Sequence, residues 1–238
     1  MLEMIFIWII LTLAASAVVA FLGEKIGKGI IVGTFAGLIV TSQVLANKTV
    51  TFWRFTVPAA VIVYATSFFL TDVLCEFHGK DKAREAVWSG FIASILLVLG
   101  IEIAIAWPAA PFWGGQEAFV STLGLTWRIV LASLVAYVFS QNWDVHVFHK
   151  IKEKTKGKHL WIRNVASTSS SQLIDTVIFI MIAFYGVMPV IPLIIGQYVV
   201  KLIIASMDTP FLYAVSWGKK QISLPGIIPT SIQATKES

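Results

Sequence analysis

The chain has 238 residues, of which 57% are hydrophobic and only 13% are charged. A soluble domain carries roughly 25% charged residues, so this composition excludes an ordinary soluble protein and favours a chain surrounded mostly by lipid. The single cysteine, Cys75, excludes a disulfide within the chain and a cysteine-based zinc site.

Seven apolar runs follow one another along the chain, and each is close to the ~20 residues that span a hydrocarbon core of ~30 Å. They occupy residues 4–22, 29–46, 55–75, 87–107, 122–141, 165–186 and 191–214. The first run imitates a signal peptide because Ala-Ala-Ser-Ala at 14–17 resembles a cleavage site, but no Lys or Arg precedes it. We therefore interpret all seven runs as membrane spans and predict an all-α integral membrane protein with a single domain over residues 1–238.

Basic residues are distributed asymmetrically between the two sides of the predicted spans. With the N-terminus outside, loops 22–28, 76–86 and 142–164 and the C-terminal tail hold 14 of the 18 Lys and Arg residues. The outside connections hold only Lys48 and Arg54. Because cytoplasmic loops carry such an excess, we predict that the N-terminus is outside and the C-terminus is cytoplasmic. The net charge of +5 then follows from topology, and no nucleic-acid partner is predicted.

Ionisable side chains lie inside the predicted spans, where a charge is costly and requires a partner, a proton or a ligand. At about 1.5 Å of rise per helical residue, Asp175 and Lys201 both fall near the bilayer midplane. Glu102 and Arg128 both fall in the outer half, and Asp72 falls in the inner half. Matched depth predicts two ion pairs, Asp175 with Lys201 and Glu102 with Arg128.

Two interpretations of these buried charges stay open. They are either structural locks between helices or the polar wall of a cavity at mid-depth that binds a flat, polar solute. The number of ionisable groups, spread over five spans, favours the cavity. Gln172 lies one helical turn from Asp175 and Gln197 one turn from Lys201, so each amide shares a helix face with the central pair.

The sequence lacks the common motifs for nucleotide binding and for metal-dependent hydrolysis. There is no glycine-rich phosphate loop and no His-Glu-x-x-His spacing, so we predict no cofactor and no ATP-hydrolysing module. An integral-membrane enzyme is one alternative, but its nearest acidic and histidine cluster, Asp72, Glu76 and His78, is too sparse for a metal-dependent motif.

The polar positions from the third span to the seventh resemble the queuosine precursor transporter family of vitamin uptake transporters. They match in order over most of the chain, and the most specific stretch is Asp-Val-His-Val-Phe at 144–148. The other matching positions are Phe69-Leu70-Thr71-Asp72-Val73, Glu76-Phe77-His78-Gly79, Ala83-Arg84, Arg128, Ser133, Tyr137, Gln141, Ser167-Thr168, Gln172, Asp175-Thr176, Tyr198, Lys201 and Pro210.

This resemblance implies an inner-membrane, multi-pass importer of 7-deazaguanine bases, which are precursors of the modified nucleosides queuosine and archaeosine. It also implies a fold similar to the substrate-binding components of energy-coupling-factor transporters, which have six helices where the charge pattern here supports seven. A substrate-binding component of a multi-subunit, ATP-driven vitamin transporter is therefore a second alternative. The implied partners are a small-molecule base and the lipid bilayer, and no oligomer is predicted.

The resemblance also suggests roles for the polar residues. A carboxylate can accept the ring N–H and the exocyclic amine of a deazaguanine together, so Asp175 is the first candidate for contact with the base. Gln172, where some relatives carry Asn, would pair with the carbonyl edge, and Lys201 would keep Asp175 ionised. Arg128 and Asp72 are candidates for gates on the two sides. The full set of predicted substrate-binding residues is Asp72, Glu102, Arg128, Ser171, Gln172, Asp175, Gln197, Tyr198 and Lys201.

Overall fold

A computed structural model describes residues 2–154 and 160–222 of the chain. Lys156, Lys158 and Lys236, which contribute to the basic count above, lie outside the described residues. The described elements are α1 (Leu2–Lys25), α2 (Gly29–Leu45), β1 (Thr49–Phe52), β2 (Phe55–Pro58), α3 (Val61–His78), α4 (Lys80–Ala106), α5 (Gln116–Leu123), α6 (Thr126–Lys154), α7 (Leu160–Phe184) and α8 (Val190–Ile222).

The helices confirm a multi-pass, all-α membrane protein. Six of them are long and apolar enough to cross a bilayer: α1, α3, α4, α6, α7 and α8. The seventh apolar helix, α2, has 17 residues, which is at the short end of the ~17–25 residues found in membrane spans. Large apolar side chains such as Ile92, Leu96 and Leu99 of α4 are exposed, as expected for a surface in contact with lipid.

The helices pack around α3, which contacts α1, α2, α4 and α8. Its side chains Phe69, Leu70 and Leu74 are fully buried in the larger of the two apolar cores. Helices α6 and α7 form the most extensive pair in the molecule. Buried Ser133, Ser140, Ser167 and Ser171 lie on these two helices, and such small residues let membrane helices approach closely. Helix α7 also contacts α8.

A short β-hairpin precedes α3, and the sequence did not predict it. Strands β1 and β2 pair antiparallel with Phe52 opposite Phe55, so the span expected at 55–75 begins instead at Val61. Alternating Thr and Val residues have high β-propensity. Non-helical backbone is tolerated at membrane depth where protein buries it, and here Val57 is fully buried. The hairpin packs on α8 at Gly196, where a Cβ atom would collide with the backbone carbonyl oxygen of Thr56.

The connections on the predicted cytoplasmic side are tighter than the sequence suggested. Helix α4 begins directly after Gly79, whose φ of 86° lies in the left-handed region that favours glycine. The polar segment expected over 142–164 is mostly helical, because α6 continues to Lys154 and α7 starts at Leu160. The ends of these helices therefore extend beyond the apolar segments that cross the membrane.

Candidate functional site

A buried ion pair joins α7 to α8. The Lys201 Nζ atom lies 2.5 Å from Asp175 Oδ2, so the pair predicted from matched depth forms. Ser140 Oγ lies 3.4 Å from the other carboxylate oxygen, and Lys201 Nζ lies 5.3 Å from the centroid of the Tyr64 ring. The hydroxyl and the ring face both stabilise a pair that solvent barely reaches.

A small cavity lies against this pair. Its volume of about 30 Å³ accommodates about one water molecule. Besides Asp175 and Lys201, its polar lining includes Gln43 from α2 and Gln197 from α8. Each glutamine is only 4–5% exposed. The site therefore places one carboxylate, one ammonium group and two carboxamides around an enclosed space.

A much larger cavity of about 540 Å³ lies between α2, α3, α4 and α6. It shares three lining residues with the small cavity: Gln43, Tyr64 and Ser133. Aromatic rings from all four helices form much of its wall, and Phe91 and Tyr137 meet edge to face at 5.0 Å. This volume lies within the ~300–1,000 Å³ range of small-molecule pockets.

The large cavity extends to the turn between α3 and α4. Asp72, Cys75, Lys80 and Arg84 line this end, which the charge pattern predicts to be cytoplasmic. Asp72 is exposed and forms no ion pair within 4.0 Å with a described residue. The predicted inner gate residue thus lies at this end of the cavity.

The residues predicted beside the central pair take different positions. Gln197 shares the cavity-facing side of α8 with Lys201, as their spacing predicts. Gln172 lines neither cavity, although its Oε1 atom is buried without a hydrogen-bond partner among the described residues. Ser171 donates a hydrogen bond to the Thr168 carbonyl oxygen, and the Tyr198 hydroxyl donates to the carbonyl oxygen of Ser169 at 3.3 Å. Both side chains lie at backbone contacts of α7.

The second predicted ion pair is wrong. Arg128 Nε donates to the carbonyl oxygen of Ile182 at 2.5 Å, and its Nη2 donates to that of Tyr185 at 2.7 Å. Glu102 is exposed on α4 and forms no ion pair with Arg128. The last carbonyl groups of a helix lack partners and carry negative partial charge. The guanidinium group therefore binds the end of α7 rather than a carboxylate at the same depth.

Three residues that line both cavities are absent from the set of predicted substrate-binding residues: Gln43, Tyr64 and Ser133. Gln43 follows Ser42 in the otherwise apolar run 29–46, and that polar interruption was a usable signal. Ser133 was noticed only as part of the family resemblance. Tyr64 has no distinguishing sequence context, since its position over Lys201 depends on how α3 packs against α8.

No group of His, Cys, Asp or Glu that could hold a metal ion occurs in the described part of the chain. The polar side chains that line the small cavity carry amides, hydroxyls and one ion pair, which suit a neutral or weakly charged organic solute.

The family model and the relatives that match this chain are all described as transporters. A family model described as "Putative vitamin uptake transporter" matches residues 58–215. A protein of Bacillus subtilis (strain 168) named "Probable queuosine precursor transporter" is 35% identical over 194 residues, which are 80% of this chain and 83% of that protein. The "Queuosine precursor transporter" of Escherichia coli (strain K12) is 26% identical over 62% of this chain and 64% of its own length.

A third relative, from Haemophilus influenzae, is named "Probable queuosine precursor transporter" and is 28% identical over 50% of this chain and 48% of its own length. No solved structure matches the chain significantly, so the expected likeness to energy-coupling-factor components stays a prediction. The relatives are named as transporters, which identifies a membrane transporter rather than an enzyme. The chain belongs to the vitamin uptake transporter family, among relatives named as queuosine precursor transporters.

Proposed function

We propose that this transporter imports 7-deazaguanine bases, the precursors of queuosine, and that the base binds at the Asp175–Lys201 pair. The observation that carries the proposal is the composition of the small cavity, where a buried carboxylate and ammonium group face two buried amides. The names of the relatives supply the substrate class, and the residues supply the chemistry.

The Asp175 carboxylate suits the Watson–Crick edge of a guanine-like base. That edge presents a ring N–H beside an exocyclic amine, and a carboxylate accepts both in a bidentate arrangement. Adenine presents a ring acceptor at the corresponding position, which would face the carboxylate with repulsion. In the empty protein the Lys201 ammonium group, 2.5 Å away, compensates the charge of the Asp175 carboxylate.

Binding requires the small cavity to open, since about 30 Å³ holds only about one water molecule. The large cavity offers about 540 Å³ on the other side of Gln43, Tyr64 and Ser133. Movement of these three side chains joins the two spaces. The base then lies with one edge on Asp175 and its ring plane among the aromatic side chains, where stacking is favourable. The joined cavity leads to the end predicted as cytoplasmic, where the base would leave.

Uptake by cells tests the proposal. Cells that lack their own carrier are given radiolabelled 7-cyano-7-deazaguanine, and the label retained inside is measured with and without this protein. We expect uptake to depend on the protein and to be inhibited by excess unlabelled deazaguanine but not by adenine. Uptake at background level, with the protein present in the membrane, would contradict the proposal.

A second experiment separates this function from that of a binding component in an ATP-driven complex. The purified chain is reconstituted alone into liposomes, and entry of the labelled base is followed without ATP. Equilibration of the base across the liposome membrane is expected. Binding without entry would favour the multi-subunit alternative.

A further inference from the structure

Gln43 occupies a position that the family resemblance did not indicate. It is the polar side chain of α2 that lines both cavities, and it is only 4% exposed. A buried amide is costly unless its N–H and C=O groups are satisfied. Among the described residues, no hydrogen bond involves the Gln43 side-chain amide; its backbone carbonyl oxygen accepts one from Asn47. The amide therefore faces the cavity with both of its hydrogen-bonding groups available.

Gln43 and Asp175 approach the cavity from different sides. Helix α2 packs mainly on α3 and α4, whereas α7 packs mainly on α6 and α8. A flat base held by Asp175 on one edge would thus present its opposite edge toward α2. Opposite the Watson–Crick edge of a 7-deazaguanine lies the five-membered ring. That ring carries a nitrogen with a hydrogen in the free base, and the same nitrogen carries the sugar in the nucleoside.

We propose that Gln43 selects the free base over its nucleoside by accepting a hydrogen bond from this ring nitrogen. The acceptor is the Gln43 side-chain carbonyl oxygen, and the donor is the ring N–H of the free base. A nucleoside has no hydrogen on that nitrogen, so the buried amide oxygen would lose its partner as well as meet the sugar. A binding site discriminates most strongly against a ligand that leaves one of the site's buried polar groups without a hydrogen-bond partner.

This inference deepens the proposed function and rests on it, since it takes the base edge on Asp175 as given. Gln172, which was predicted to pair with the carbonyl edge of the base, lines neither cavity, whereas Gln43 lines both. The two glutamines are therefore rivals, and one experiment can distinguish them.

The experiment is a cycle that pairs changes in the ligand with changes in the protein. The ligands are 7-cyano-7-deazaguanine and the same base methylated at the glycosidic nitrogen, which removes the hydrogen but adds little bulk. The proteins are wild type, Gln43→Met and Gln172→Met, purified in nanodiscs. Methionine nearly matches glutamine in length, and neither Gln43 nor Gln172 gives up a side-chain hydrogen bond within the described protein. Both variants are expected to fold, which thermal unfolding checks.

The measured quantity is the ratio of dissociation constants for the methylated and unmethylated bases. In wild type we expect the unmethylated base to bind at least about tenfold more tightly, as one lost hydrogen bond with an unpaired partner implies. Gln43→Met is expected to bring the ratio to within about threefold of unity, while Gln172→Met keeps the wild-type ratio.

Each of the other outcomes contradicts either the proposed function or the role of Gln43. If wild type binds neither base, the proposed function fails and the inference fails with it. If wild type binds the base and Gln43→Met keeps the full ratio, the inference is overturned and the proposed function stands. Loss of the ratio in Gln172→Met alone would return the role to Gln172. Should Gln43→Met not fold, Gln43→Asn replaces it, because it keeps the amide but withdraws it by one methylene group. An unchanged ratio in Gln43→Asn would overturn the inference.

Discussion

Asp175 and Lys201 depend on each other, because each is almost wholly removed from solvent. Removing one partner of such a pair leaves an uncompensated charge, which costs about 3–5 kcal/mol, whereas replacing both with uncharged side chains is often neutral. The pair could be predicted because depth along a helix follows directly from residue number. The same reasoning failed for Glu102 and Arg128, since depth does not fix the direction in which a side chain points around its helix.

Asp175→Asn is therefore expected to lower the free energy of unfolding by about 3–5 kcal/mol. The double variant Asp175→Asn/Lys201→Met is expected to recover most of this loss. Denaturant titration of the purified proteins measures both. Wild-type stability in the single variant would mean that Lys201 is not buried as a charge.

Arg128 is expected to act as a cap on α7 rather than as a ligand for the base. Arg128→Met removes two charge-assisted hydrogen bonds to carbonyl groups, so we expect a loss of about 2 kcal/mol in stability and an unchanged affinity for the base. Arg54→Met is the matched control, because Arg54 is exposed and its guanidinium group lies over the Trp53 ring. A variant with wild-type stability but slower uptake would instead support the predicted outer gate.

At the scale of elements, the β-hairpin is the largest departure from the sequence-based expectation. Residues 55–58 continue into an apolar run, which predicts the start of a helix. The stretches Thr49-Val50-Thr51 and Phe55-Thr56-Val57 are too short to distinguish a strand from a helix by periodicity. What decides the outcome is tertiary: α8 offers the hairpin a surface at Gly196, and Pro58 and Ala60 then line the small cavity.

Gly196→Ala tests this packing. The added methyl group would collide with the Thr56 backbone, so α8 and the hairpin must separate, and overpacking of this kind costs about 1–3 kcal/mol. Gly100→Ala is the control on α4, where an added Cβ meets nothing within 4 Å. It is expected to stabilise the helix slightly, by up to about 1 kcal/mol. Equal thermal stability of the two variants would contradict the close approach.

At the scale of the whole molecule, composition predicted the membrane class, and depth along the helices predicted the central pair. The resemblance indicated the family. A polar cavity at mid-depth was expected, but its division into two spaces was not, because the large space depends on how α2, α3, α4 and α6 pack and the small one on how α7 and α8 meet α2, α3 and α6. Gln43 and Tyr64 can be identified as lining residues only once that packing is known.

The single cysteine provides a test of orientation without any engineering. Cys75 is exposed and lines the large cavity at the end predicted as cytoplasmic. A membrane-impermeant maleimide should therefore label it in inside-out vesicles but not in right-side-out vesicles. The control is Lys48→Cys in a Cys75→Ser background, which should give the reverse pattern. Labelling of Cys75 from the outside would invert the predicted topology.

The central claim is that the buried pair of α7 and α8 binds the base. Its most direct test is the binding of radiolabelled 7-cyano-7-deazaguanine to the double variant Asp175→Asn/Lys201→Met, which is expected to keep its fold while losing the carboxylate. The loss of charge-assisted hydrogen bonds predicts an affinity at least about 100-fold weaker than that of wild type. A folded double variant that binds the base as tightly as wild type would contradict the account.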